Sequence, residues 1–158
     1  MKALRCLMLV MAVACGVRVQ AQSAHKINAG SDKERLIGAW HLVHIDAPGP
    51  GGNASAVALP AGILIYTRDG HMSVQLMYSK PFKVRSNEYV QDGYEASFGS
   101  YRVDEATHTV THHVQGSITR ETLVGRYLPR VYKFTEDGHL ILKSANPAEH
   151  WQVTWEHY

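Results

Sequence analysis

The sequence predicts an all-β domain, an antiparallel up-and-down β-barrel of eight or nine strands, on three observations. Short segments of alternating apolar and polar residues run from Leu36 almost to the last residue. Arg68-Asp69-Gly70 and Glu136-Asp137-Gly138 each place Asp-Gly between two such runs, the strongest short-range hairpin signal. Beyond residue 21, no stretch sustains an apolar 3.6-residue period long enough for a major helix. Short strands joined mostly to their neighbours suit a barrel or a sandwich, and closure favours the barrel because it leaves no exposed sheet edge.

The chain opens on a different pattern. Lys2 and Arg5 precede an apolar run from Cys6 to Val17, and Val19-Gln20-Ala21 offers small residues for cleavage. Residues 1–21 therefore read as a secretory signal peptide cut after Ala21, and the run is too short to span a bilayer as a helix. Ala12-Val13-Ala14-Cys15 also resembles the lipobox before an acylated cysteine in bacterial lipoproteins, so a lipid anchor at Cys15 is a second reading. Both readings predict export, to the periplasm or the extracellular space.

Cleavage changes the charge and the thiol content. The whole chain carries a formal +2; without Lys2, Arg5 and Arg18 it has 13 basic and 14 acidic residues, a net of −1. Nothing in that balance points to nucleic acid. Both cysteines, Cys6 and Cys15, leave with the leader, so no disulfide, thiol nucleophile or cysteine-bound metal is expected.

Residues 22–35 are a polar lead-in, disordered or forming a short helical turn, and the barrel domain covers 36–158. Strands are predicted near 37–46, 62–67, 71–78, 95–103, 107–115, 121–127, 130–135, 139–144 and 150–157. Pro48-Gly49-Pro50-Gly51-Gly52 opens a long loop over 48–60, either a lid or an idle surface loop. Asp104-Glu105-Ala106 makes a third tight connection. The one helical candidate is 80–92, shortened by Pro81.

Strand alternation assigns the inward residues. Trp151, Val153 and Trp155 share a face, as do Val110, His112 and Val114, so His113 points outward. Trp40, Leu42, Val74, Leu76, Phe134, Leu142 and Trp155 supply apolar walls. Tyr66, Tyr101, His112, Tyr132 and Arg126 supply polar groups. This mixture suits a pocket for a small apolar or amphipathic molecule, and equally a filled small-barrel core.

Gly38-Ala39-Trp40 resembles the Gly-x-Trp signature of lipocalins. More specific are GILIYTRDGHMSVQLM (62–77), FGSYRVDEATHTVTHHVQGS (98–117) and the last strand with Trp155. Together they closely resemble a lipocalin-like domain family of bacteria and fungi, over Leu36 to Trp155. The matching positions are Tyr66, Gly70, His71, Met72, Gly99, Tyr101, Val110, His112, His113 and Gly116. The resemblance implies an antiparallel barrel with a central cavity and Trp40 at its closed end. It carries over no catalytic residue. The disulfide and further motifs of true lipocalins are missing, so retinoid or pheromone transport would be fold analogy alone.

The predicted function is binding of a small apolar or amphipathic ligand in the barrel. The alternative is a cavity enzyme of isomerase or cyclase type, with His112 as acid/base and Tyr66 and Tyr101 steadying an oxyanion. Against it stands a buried histidine satisfied by a hydroxyl or carbonyl. A third reading is a filled structural barrel. Arg126 would hold an anionic head group or pair with a surface carboxylate. No cofactor and no metal site is expected: His41 and His44 are three apart on a strand and so face opposite sides. A site shared by His44 and His112 across strands stays open. Asp69 and Asp137 serve the turns.

Overall fold

Thr67-Arg68-Asp69-Gly70-His71 and Thr135-Glu136-Asp137-Gly138-His139 fold into matching hairpin turns. In each the glycine takes a positive φ, +91° at Gly70 and +90° at Gly138, a conformation that costs other residues strain. In each the threonine nitrogen donates to the histidine carbonyl, at 2.9 Å both times. The threonine hydroxyl turns back onto the aspartate.

The computed structural model describes residues 30–48, 54–56, 60–78 and 88–158. A helical turn, α1 (Asp32–Leu36), precedes nine strands. These are β1 (Gly38–Pro48), β2 (Ala54–Ala56), β3 (Ala61–Tyr66), β4 (His71–Met77) and β5 (Tyr94–Asp104). They continue with β6 (Thr109–Ser117), β7 (Tyr127–Phe134), β8 (Leu140–Ser144) and β9 (Gln152–His157). All pairings are antiparallel. β1 bonds to both β3 and β9, so β1 and β3 to β9 close an eight-stranded barrel. β2 adds three residues to the far end of β1, inside the predicted 48–60 loop.

α1 plugs one end. The Ser31 hydroxyl accepts from Glu34 N at 3.3 Å and caps it. Leu36 is fully buried, its carbonyl accepts from Trp40 Nε1 at 2.9 Å, and Asp32 accepts from the Tyr132 hydroxyl at 3.1 Å. Outside, Glu34 pairs with Arg68 at 2.7 Å. Trp40 thus sits at the plugged end, where the resemblance places it.

Two expectations are corrected. The predicted strands 121–127 and 130–135 are one strand, β7, preceded by a 3₁₀ turn over Glu121–Leu123 and by Gly125 at φ +83°. Pro129 lies inside β7. Its carbonyl accepts from Ala145 N at 3.3 Å, beyond the end of β8, so its nitrogen faces that side and no ladder bond is lost. His41 and His44 do not face opposite sides. A bulge between Leu42 and His44 pairs them with Glu156 and Thr154, on the outer face. Helical candidate 80–92 lies partly outside the described residues; 88–92 is a bend and a bridge, without helix. The predicted leader and its expected cleavage site, Cys15 and residues 22–29 lie outside them too.

Candidate functional site

Alternation along each strand sends one set of side chains into the barrel. Away from the plugged end they leave a cavity of about 300 Å³, within the range of ligand pockets, roughly 300–1,000 Å³. Leu64, Val74, Leu76, Leu142, Val153 and Trp155 form its apolar wall. It reaches the surface between residues 88–90 and 148–151, where Glu88, Ala148 and His150 are exposed.

Polar side chains reach the interior from Glu95 and Ser97 on β5, His112 on β6 and Arg130 on β7. Arg130 is only 6% exposed. Its guanidinium carbon stands 4.7 Å from the ring centre of Tyr89 and 4.8 Å from that of Trp151. Glu149 fixes both rings, accepting from the Tyr89 hydroxyl at 2.9 Å and from Trp151 Nε1 at 3.0 Å. Among the described residues Arg130 itself donates one hydrogen bond, to the Pro129 carbonyl at 3.3 Å. No carboxylate among the described residues lies within ion-pair distance of it.

His112 is buried, and its Nε2 is 2.6 Å from the Tyr66 hydroxyl. Burial first, then the positive charge of Arg130, lowers the imidazole to about 3, so it is neutral near pH 7. Burial pushes the Tyr66 phenol far above its usual range, so it stays a hydroxyl. Burial also raises the Glu95 carboxyl to about 7, against the pull of Arg130.

Of the predicted ligand-binding residues, Val74, Leu76, His112 and Trp155 line the cavity. Trp40, Tyr66, Tyr101 and Tyr132 belong to the buried core and Phe134 packs against it; none of the five lines the cavity. The Tyr101 hydroxyl donates to the Thr67 carbonyl at 2.9 Å, and Tyr132 bonds Asp32, so the three tyrosines form no hydroxyl cluster. Tyr66 alone reaches His112. Arg126 is a correction. It is exposed and pairs with Glu88 on the surface, because its strand begins only at Tyr127. His44 pairs with Asp46 at 2.9 Å outside the barrel, on the other side of the wall from His112, which removes the shared site. Among the described residues no three His, Cys, Asp or Glu group together as metal ligands. No helix among them is long and apolar enough to cross a membrane.

Sequence reasoning missed Arg130, Glu95 and the Tyr89–Trp151–Glu149 clamp. Arg130 is in phase with Tyr132 and Phe134, and Glu95 with Ser97 and Tyr101, so alternation held the signal. A charge in an inward position was the clue. A family model described as a lipocalin-like domain matches residues 37–157. No curated protein matches the chain.

Proposed function

The chain belongs to the lipocalin-like domain family, and from that premise we propose that it binds a small, mostly apolar molecule inside its barrel, outside the cytoplasm. One observation carries the reading: the lumen holds a cavity of about 300 Å³, walled by aliphatic and indole side chains and open at one end. A filled structural barrel would leave no such space. Export rests on the leader-like residues 1–21.

Binding is favoured over catalysis by the state of His112. A general base works best with a pKa near the working pH. An imidazole lowered to about 3 takes up almost no proton near neutrality. Its contact with Tyr66 makes it a satisfied buried side chain with one edge on the cavity. Native mass spectrometry of the protein purified from its host, against its denatured mass, tests the proposal. A small-molecule adduct lost on denaturation is the expected result. An unliganded mass, together with no uptake of the neutral fluorescent probe N-phenyl-1-naphthylamine, overturns it.

A further inference from the structure

We propose that the ligand is an organic anion, a carboxylate on an apolar body, and that Arg130 holds its head group. The inference rests on the cavity-binding reading above and adds the chemistry of the head. A buried cation is costly unless a partner offsets its lost hydration. Arg130 is almost wholly removed from solvent. Yet among the described residues it meets two aromatic rings and a single backbone carbonyl. The rings hold the guanidinium in place without using its N–H donors. A guanidinium has five such donors in a planar fork that matches a carboxylate.

A second buried donor agrees. Trp155 is 2% exposed and lines the cavity, and its indole N–H has no acceptor among the described residues. An orphaned indole donor and an under-used guanidinium in one cavity call for an acceptor-rich, negatively charged guest. Glu95 does not fill that role. It lies on β5, two strands from β7, outside ion-pair distance of Arg130, and burial keeps much of its carboxyl protonated near neutrality. The walls around these groups are aliphatic, so the remainder of the guest is apolar.

Displacement of N-phenyl-1-naphthylamine from the purified protein, by decanoate or by decan-1-ol at pH 6.5, tests the assignment. The two chains differ only in the charged head. Decanoate is expected to displace the probe at roughly 10- to 100-fold lower concentration, the range for a charged hydrogen bond. Arg130→Met should still take up the probe but lose the preference. Arg130→Gln repeats the comparison should the methionine variant fail to fold. Equal displacement by the two compounds, or a preference intact in either variant, overturns the head-group assignment and leaves the cavity reading standing. A probe that never binds overturns both.

Discussion

The Tyr66 hydroxyl and His112 Nε2 meet at 2.6 Å across the lumen, tying β3 to β6, which are not neighbours in the sheet. The contact lets a polar ring be buried at the edge of the cavity. Tyr66→Phe leaves His112 without that partner. The expected loss is about 1–3 kcal/mol, the usual cost of orphaning a buried polar group. Urea denaturation at pH 8, where His112 is neutral folded or unfolded, measures it; no change in the midpoint would show the bond to be unimportant.

His112 also makes stability depend on pH. Its folded value of about 3 lies below the ordinary 6.5. Above pH 6.5 the ring is neutral in both states and its contribution is intact. As pH falls from 6.5 towards 3, the unfolded chain takes up a proton that the folded one refuses, and stability drops by up to about 1.4 kcal/mol per unit. His112→Phe should flatten that limb. A variant as acid-sensitive as the parent would place the effect elsewhere.

Glu95 works in the opposite sense. Its folded value of about 7 lies above the ordinary 4.5. Below pH 4.5 both states are protonated and nothing is lost. Between 4.5 and 7 the unfolded chain releases a proton that the folded one keeps, so stability falls as pH rises. Glu95→Gln, which cannot ionise, should gain on the parent across that window, by at most about 3 kcal/mol less the screening at the open cavity. Paired melts at pH 4 and pH 8 read the difference, and a constant offset between the two proteins would refute the assignment.

Much of the fold is legible because a strand has a strict period of two. Val110, His112 and Val114 turn inward and His113 outward, where it stacks on Tyr127 with ring centres 4.4 Å apart. Trp151, Val153 and Trp155 share the lumen. Arg126 and Arg130 show where reading by residue type fails. Arg126 stands beside a glycine and was assigned to the interior, yet it precedes its strand and is exposed, while Arg130, in phase with Tyr132, was not singled out and is buried. Geometry decided against both intuitions. The bulge after Leu42 had no visible marker, since neither glycine nor proline stands there, and it alone changes the sides of His41 and His44. The Tyr89–Trp151–Glu149 clamp joins residues some 60 apart in the chain, and periodicity carries no information at that range.

The charged pair on the surface supplies a control for the buried arginine. Arg126→Ala removes an exposed ion pair with Glu88, worth about 0–1 kcal/mol at most. It should leave both the melting temperature and decanoate displacement within error of the parent. A large effect on displacement would bring Arg126 back into the site.

Two glycines in one hairpin should respond very differently to alanine. At Gly99 an added Cβ would lie 2.0 Å from the His113 carbonyl oxygen and 2.8 Å from Gln115 N, both backbone atoms of β6. The β5–β6 ladder slips register at this point, between Phe98 and Gly99, so the close approach is built into the bulge. Relief requires moving a strand. At Gly116 the added Cβ would meet the ring of Phe98 at 2.3 Å, but that ring is 50% exposed and can swing into solvent. Gly99→Ala is therefore expected to cost about 3 kcal/mol or more, at or beyond the upper end of ordinary overpacking. Gly116→Ala should cost under about 1 kcal/mol. Thermal melts of the two variants side by side decide the point. Equal costs would mean that the strand yields as easily as the ring, and that the bulge does not hold β5 against β6.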